Sequence, residues 1–538
     1  MARGTSMSDW FDVNRRARDA CEYFVNQRKG GDSASVRGFL LQLIDEFDMP
    51  FSSEPSLVRY LQTMGMGGRQ EAVVNHVEAP LLIKSRKASI RKARTWVVTA
   101  AQNNAEVNEG FLRALEHYCS TMKAELIIRK LRYGKPHDWC SSIEKYLVDE
   151  EIELKDVIIP DIRITATVAN PLTGLDARSG AKHAIYASTK LTMKTVATPQ
   201  NALPKILYST GCITEPMYSE TKTGNLAEFH HTLSAIVVEQ DPKNGRTFMR
   251  AICWDGEGFQ DRDTYWTDAA MDFEAWKALI PGDEHAWFAD PGVIKATYTG
   301  WSSMAAIGSP DYVLRHDLLD CYSVSHHHRG NHLIQRNKAV LGWGSLDREL
   351  EDTIKFVQHT SEGHSFKNVM VHSNHSGDHL TKFLAGGEQH VAMENLLTYH
   401  ELSAMVLRTA KKSDTGIQFT DPFRLYWEGQ DRGVEPIWLG PTEPFIIAGV
   451  DLSQHGHLGP NGSRGSLRNL ANLGVKTSIG HTHSPGIFGG CTQVGTSTRY
   501  NLEYCKGPSS WLHCHAALFQ NGKRQLLPII SGQWFVER

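Results

Sequence analysis

VKTSIGHTHSPG, residues 475–486, places His481 and His483 directly after a short apolar strand. A strand that ends in a polar loop is typical of α/β proteins, whose sites form at the carboxyl ends of strands. A single His-x-His pair, however, is more often structural than a metal ligand. The interpretation therefore depends on whether other strands of this chain end in the same way.

Four earlier parts of the sequence share this organisation. In ALIPGDEH (278–285), Asp283 and His285 alternate along an extended segment, so both side chains can point toward one ion. The remaining groups are Asp317 and Asp320 in YVLRHDLLD (312–320), with His326 and His327 just beyond in SHHHRGN (325–331); Asn374, His375 and Asp378 in NVMVHSNHSGDHL (368–380); and His455 and His457 in PFIIAGVDLSQHGHLGPNG (444–462).

Together the five loops contain the ligand types that a pair of divalent ions needs. One carboxylate must bridge the ions, while imidazoles and an amide oxygen complete their coordination. Two ions about 3.5–4 Å apart can hold a phosphate and activate water between them. The sequence therefore predicts a binuclear metal site whose ligands suit Mn²⁺, Fe²⁺ or Zn²⁺, with Mg²⁺ as a further alternative.

The order of these motifs resembles that of the calcineurin-like metallophosphoesterases, over about residues 275–490. Two positions depart from the superfamily pattern. His316 replaces a glycine in the second motif, and Ser373 and Ser376 replace a glycine and an acid in the third. Since that acid is a usual partner of the catalytic histidine, Asp378 or another group is expected to orient His375. The matching motifs are Gly282-Asp283-Glu284-His285, Asp317-Leu318-Leu319-Asp320, Asn374-His375, His455-Gly456-His457 and Gly480-His481-Thr482-His483.

The resemblance implies a role for each residue. His375 would be the general acid or a donor that stabilises the transition state, and Asp317 would bridge the metals. His457 is the alternative to His455, because both lie on one turn. Asp320, His326 and His327 would orient the ligands. One ion would be bound by Asp283, His285, Asp317 and His483, and the other by Asp317, Asn374, His455 and His481.

The sequence over about residues 90–535 also resembles a narrower family, the pre-early DNA-transfer proteins of T5-like phages. It implies a manganese-dependent nuclease that acts on DNA in the host cytoplasm, in host DNA degradation or DNA transfer. The segments that carry it are TAAQ (99–102), STGCIT (209–214), AEFHHTLSAIVVE (227–239), HDLLDCYSVSHH (316–327) and HGHLGPNGSRG (455–465).

Three regions are expected along the chain. Residues 1–83 indicate a helical, helix-turn-helix-like module or a docking or oligomerisation appendage. Residues 84–270 indicate a Rossmann-like α/β domain, in which His230 and His231 are interpreted as structural. Residues 271–538 would form the metallophosphoesterase α/β sandwich, two mixed sheets flanked by helices, with a packing helix over 346–358.

Basic residues offer contacts to DNA phosphates, although a basic run is more often a solvated linker. Arg315 and Arg329 are further candidates near the motifs. No base-reading motif is visible, so little sequence preference is expected. The basic run consists of Lys84, Arg86, Lys87, Arg91, Lys92 and Arg94.

Composition and charge exclude some classes of protein. A net charge of −3 over 538 residues excludes a protein that binds nucleic acid through overall basicity. No apolar run reaches the roughly 18 residues of a membrane span, and nine cysteines without a CxxC pair favour reduced thiols in a cytoplasm. A homo-oligomer is expected as for many enzymes of this size.

Two alternative functions remain beside the DNA nuclease. One is a phosphatase or phosphodiesterase for nucleotides or small molecules, and the other is a non-catalytic phage protein that binds a host factor.

Overall fold

The computed structural model of the protein divides into two units, residues 1–89 and residues 90–538. In the first unit, the side chains of Ala17, Cys21, Phe24 and Val25 are buried on one side of a single helix. The rest of the expected helix-turn-helix-like module lies largely outside the described residues. The structure describes residues 15–29, the single positions 39, 43, 61 and 90, and residues 92–536 apart from 134–137, 200–201, 415, 430–431 and 503–504.

The described helices are short, and most begin at a side chain that caps the first turn. Ser345, for example, accepts a hydrogen bond from the main-chain N–H of Arg348, which satisfies a donor that the helix leaves unpaired. They are α1 (Arg15–Lys29), α2 (Glu109–Met122), α3 (Lys222–Phe229), α4 (Pro291–Tyr298), α5 (Met304–Gly308), α6 (His332–Leu341), α7 (Leu346–Ser361), α8 (Leu380–Ala385), α9 (Leu396–Thr409), α10 (Pro422–Glu428) and α11 (Leu467–Ala471).

The described strands are numbered in chain order. Up to residue 273 they are β1 (Thr95–Gln102), β2 (Glu125–Leu131), β3 (Leu147–Val148), β4 (Ile152–Leu154), β5 (Val157–Ile159), β6 (His183–Tyr186), β7 (Ser188–Val196), β8 (Lys205–Gly211), β9 (Ser234–Gln240), β10 (Thr247–Cys253), β11 (Phe259–Asp261), β12 (Thr264–Trp266) and β13 (Met271–Phe273). Beyond it they are β14 (Ala278–Ile280), β15 (Tyr312–Arg315), β16 (Lys367–Met370), β17 (Lys411–Ser413), β18 (Gly416–Gln418), β19 (Ile437–Trp438), β20 (Ile446–Ile447), β21 (Val450–Asp451), β22 (Lys476–Ile479), β23 (Gly486–Phe488), β24 (Cys491–Gln493), β25 (Cys514–Leu518) and β26 (Arg524–Pro528).

The first large sheet has the strand order β10-β9-β1-β2-β3. β1 and β2 are parallel and are connected by α2, as the strand–helix–strand pattern predicts. β2 and β3 are also parallel, whereas β9 and β10 add antiparallel neighbours, so the similarity to a Rossmann sheet is confined to β1, β2 and β3. Arg250 on β10 is fully buried between the carboxylates of Glu239 and Asp261.

Two larger mixed sheets form the centre of the second unit. Their orders are β19-β16-β15-β14-β25-β26 and β20-β21-β22-β24-β23-β7-β8-β6-β5-β4. One continuous apolar core contains residues of both, including Ile280 and Leu314 of the first and Ile185 and Ile487 of the second. The expected mixed α/β class is therefore observed.

The ten-stranded sheet crosses the domain boundary expected near residue 270. β7 pairs with β23 through Met193 and Ile487, which are almost 300 residues apart in sequence. Residues 90–538 consequently form one unit and not separate middle and C-terminal domains. The physical reason is that the edge of the middle-region sheet is completed by strands from the C-terminal region.

Helix α7 lies between the second and third motifs and begins where the sequence predicts. Its apolar stripe, Leu346, Leu350, Ile354 and Val357, is buried. The helix ends three residues later than expected, at Ser361. It is a packing helix, and it also presents the buried carboxylate of Glu349 to the loop after β15. Among the described helices, none is long and apolar enough to cross a membrane.

Candidate metal centre

The arrangement of the sheets places the predicted motifs at one edge. β14, β15 and β16 are parallel neighbours, so the loops that follow them begin at the same end of the sheet. Main-chain hydrogen bonds join these loops, because His285 N donates to Asp317 O at 2.8 Å. In the other sheet, β21 and β22 are also parallel, and the loops after them are joined by Gly480 N donating to His455 O at 2.8 Å.

Asp317 occupies the middle of the site. Its Oδ2 lies 3.0 Å from His455 Nε2 and 3.8 Å from His285 Nε2. One group of potential metal ligands contains Asp317, His285 and His375, and another contains Asp317, His455 and His481. Asp317 is the member that the two groups share, as expected of a bridging carboxylate.

Asp283 and His483 lie together on one side of the centre. Their side chains approach to 3.1 Å between Asp283 Oδ2 and His483 Nε2, and with His285 they form a further ligand group. The same carboxylate accepts a hydrogen bond from His481 N at 2.8 Å. This close packing requires glycine at position 480, since a Cβ there would lie 2.2 Å from Asp283 Oδ1.

Backbone strain is concentrated in these loops. His285, Asp317, His481 and His483 all have positive φ, between 39° and 76°. Such conformations are costly for residues other than glycine and persist where the surroundings enforce them, often at functional sites. The strain turns side chains from four separate loop positions toward a common point.

The structure distinguishes His455 from His457. His455 is 2% exposed and belongs to the groups around Asp317 and Asp283. Its Nδ1 lies 3.4 Å from His316 Nδ1, which leaves Nε2 facing Asp317. Neither His457 nor Asp378 belongs to a described ligand group. His316, the departure from the second motif, thus contacts His455, a position that the sequence alone did not indicate.

His375 is oriented by Asp320 and not by Asp378. Its Nδ1 lies 2.9 Å from the main-chain oxygen of Asp320 and 3.8 Å from the Asp320 carboxylate. That carboxylate also lies 2.6 Å from His285 Nδ1. Asp378 instead lies 3.6 Å from His372 Nε2. The sequence left the partner of His375 open between Asp378 and another group; the structure places Asp320 there, while Asp378, on the π-helical turn Asn374–His379, faces His372.

Arg315 is also placed differently from the expectation. It is 1% exposed, and its guanidinium pairs with Glu284 Oε1 at 2.8 Å behind the metal loops. It therefore cannot contact a DNA phosphate. Arg329, Lys92 and Arg94 are exposed. Of the basic run, Lys84, Arg86, Lys87 and Arg91 lie outside the described residues.

His326 and His327 do not orient the central ligands. They lie on the exposed turn His326–His328, their rings contact each other at 3.9 Å, and both face His379. His379 in turn contacts His375, with ring centroids 4.5 Å apart. A lone histidine after the third motif gives no spacing signal, so the sequence did not indicate His379. In the middle region, His231 hydrogen-bonds to Thr214 and Tyr218, in keeping with a structural role.

Burial and neighbouring charges shift the pKa values of the central histidines in different directions. Burial alone would lower the pKa of His285, but the close contact with Asp320 and the charges of Asp320, Asp317 and Asp283 raise it to about 9. Burial would raise the pKa of Asp317, yet the charge of His455, above all, holds it well below the usual range. Burial and the charge of His455 lower the pKa of His481 to about 4, so its imidazole is neutral and able to bind a metal.

The residues fit two ions. Asp283 Oδ1, Asn374 Oδ1 and His483 Nδ1 are buried without a hydrogen-bond partner in the part of the chain that the structure describes. Unsatisfied buried polar atoms are rare and call for a water or an ion. Carboxylate, amide and imidazole ligands are the set that Mn²⁺, Fe²⁺ and Zn²⁺ accept.

Comparison with known proteins gives one informative similarity. No protein-family model and no solved structure matches the chain. The chain is 27% identical to Protein A1 of Escherichia phage T5 over 473 residues, which are 83% of this chain and 84% of the phage protein. A similarity of this extent supports a protein related to those of T5-like phages.

Proposed function

We propose that the protein is a two-metal phosphodiesterase of the calcineurin-like type, and that its substrate is DNA. The observation that carries the proposal is the position of Asp317 in both the His285–His375 group and the His455–His481 group. A single structural ion would need neither a shared carboxylate nor the additional His375. The alternative of a purely binding protein leaves this arrangement unexplained.

Each ion would have four ligands, of which Asp317 is common to both. When bound, the pair would hold a phosphate and activate water between them. Asp320 would position His285 for this task through the contact at 2.6 Å. One ion would be held by Asp283, His285, Asp317 and His483, and the other by Asp317, Asn374, His455 and His481.

His375 is proposed to protonate the leaving oxygen. The contact between its Nδ1 and the main-chain oxygen of Asp320 fixes the orientation of the ring. In the protonated form Nδ1–H donates to that oxygen, and Nε2–H remains to be given to the leaving group. General acid catalysis of this kind contributes about 10²–10⁴-fold to a rate.

DNA as the substrate is supported by charge near the site and by the similarity to a phage protein. Arg329 and Lys382 are exposed and lie close enough to His326 to affect its pKa, after the larger effects of burial and His327. They can contact phosphates beside the scissile one, which gives affinity without base preference. We therefore propose a manganese nuclease with little sequence preference that acts in host DNA degradation or DNA transfer.

A nucleotide or another small phosphoester is the second candidate substrate. A cavity of about 950 Å³ adjoins the third motif and includes His372, Ser376 and Asp378 in its lining. Tyr399 and Phe419 also line it. A cavity of this size with aromatic walls can hold a nucleoside.

A nuclease assay tests the proposal and separates the two candidates. Linear and circular DNA and bis(p-nitrophenyl) phosphate would be incubated with Mn²⁺, Mg²⁺ or chelator. We expect Mn²⁺-dependent DNA cleavage that is lost in Asp317→Ala and His375→Ala and retained in the exposed control His332→Ala. Hydrolysis of the small ester without DNA cleavage would favour the second candidate. Folded protein that hydrolyses neither substrate with any metal would refute the enzyme.

A further inference from the structure

We infer that His326, His327 and His379 form a third metal site, separate from the binuclear centre, that binds Zn²⁺ or a similar ion. One ring nitrogen from each histidine lies within 4.8 Å of the others. None of the three belongs to the described ligand groups around Asp283 and Asp317. The site is therefore additional to the ligands used for the proposed reaction.

Side-chain rotation is needed for the three histidines to bind an ion. Zn–N distances of about 2.0–2.1 Å place tetrahedral ligand nitrogens about 3.3 Å apart, so nitrogens that now lie within 4.8 Å of one another must approach by up to about 1.5 Å. His326 and His327 are exposed on a short turn and can rotate, whereas His379 is half-buried on the adjoining π-helical turn. Nδ1 of His379 is buried and has no hydrogen-bond partner within the described structure, which provides an unused ligand atom.

The ligand chemistry selects the metal. Three imidazoles without a carboxylate suit Zn²⁺, Ni²⁺ or Cu²⁺ and disfavour Mg²⁺, Ca²⁺ and Mn²⁺. Arg329 and Lys382 lie near His326 and oppose an added positive charge. The site should therefore bind more weakly than the carboxylate-rich centre, and it should fill only when zinc is in excess.

The position of the site predicts its effect, and this part of the inference rests on the proposed function. The ring of His379 contacts that of His375 at 4.5 Å. An ion that ties the exposed turn His326–His328 to His379 would hold that turn over one side of the approach to His375. Excess Zn²⁺ is therefore expected to inhibit hydrolysis by restricting access of the substrate.

Metal counting tests the site independently of activity. The full chain, loaded with Mn²⁺, would be equilibrated with Zn²⁺ and its metal content measured by mass spectrometry. Wild type and the exposed control His332→Ala should each bind one more zinc ion per chain than His326→Ala/His327→Ala. Equal zinc content in all three proteins, with equal unfolding midpoints, would overturn the inference.

Activity measurements on the same samples separate this inference from the proposed function. Excess Zn²⁺ should inhibit wild type and His332→Ala more strongly than the double variant, because any exchange of Mn²⁺ for Zn²⁺ at the binuclear centre affects all three proteins alike. Inhibition that is equal in all three proteins would contradict the effect on access. A difference in zinc content without hydrolysis by any sample would support the site and refute the enzyme.

Discussion

Replacing Asp320 by asparagine should weaken metal binding while leaving the orientation of His375 largely intact. The carboxylate of Asp320 is buried and lies 2.6 Å from His285 Nδ1. It supports this proposed ligand from behind and favours the tautomer that presents Nε2 to a metal. His375 is held mainly by the main-chain oxygen of Asp320, which the substitution retains.

The size of the effect follows from that geometry. Loss of the partner behind a ligating histidine typically costs about 10–100-fold in metal affinity, or roughly 1.4–2.7 kcal/mol. An asparagine can still accept a hydrogen bond through its oxygen, so we expect the lower end, about 10-fold. Turnover at saturating Mn²⁺ should change much less, because His375, the proposed general acid, keeps its contact with the main-chain oxygen of residue 320.

The assay is a Mn²⁺ titration of phosphodiester hydrolysis together with direct measurement of Mn²⁺ binding. Asp311→Asn is the matched control, since it removes one carboxylate from an exposed pair with Lys277. The control should have the Mn²⁺ affinity of the wild type. An Asp320→Asn protein with wild-type Mn²⁺ affinity would refute the role assigned to this carboxylate.

Three further predictions concern stability and packing. Arg315→Met leaves Glu284 buried without its cation and should lower the free energy of unfolding by about 3–5 kcal/mol; an unchanged denaturation midpoint would contradict this. Burial raises the pKa of Glu349 from 4.5 to about 7, and the charge of Asp320 adds to this effect. The contribution of Glu349 to the free energy of unfolding is therefore fully present below about pH 4.5 and is lost as the pH rises through about 7. In a series of unfolding midpoints against pH, Glu349→Gln should reduce the loss of stability between about pH 4.5 and 7. An unchanged slope would contradict the role assigned to Glu349. Gly480→Ala should reduce Mn²⁺ binding because its Cβ would collide with Asp283, a proposed ligand, whereas Gly330→Ala, where the space is open, should not. Equal binding by both variants would show that the loop can relax.

Local patterns predicted the parts of the structure that depend on local sequence. The apolar stripe of α7 has the helical period, and it is buried as expected. The motif loops follow short apolar strands, and parallel pairing of β14, β15 and β16 brings their carboxyl ends together. That arrangement explains the ligand group of His285, Asp317 and His375, whereas His483, which joins Asp283 and His285, comes from the loop after β22 of the other sheet.

Other features depend on contacts between residues that are distant in sequence, so local patterns could not predict them. The pairing of β7 with β23 joins two regions that the sequence presents as separate domains. A cationic side chain at the end of a strand is expected to be exposed. Arg315 is buried instead, because its guanidinium pairs with Glu284, 31 residues away in sequence. His316 and His379 stand outside any repeated spacing, so only the folded chain shows that one contacts His455 and the other His375.

The most direct test of the central claim is the number and coupling of bound metal ions. Purified protein would be loaded with Mn²⁺, analysed for metal content and examined by electron paramagnetic resonance. Two ions about 3.5–4 Å apart and bridged by Asp317 should give two Mn²⁺ per chain and a spin-coupled signal. Asp317→Asn should lose the coupling. A wild-type protein that binds no Mn²⁺, or a single uncoupled ion, would contradict the binuclear centre.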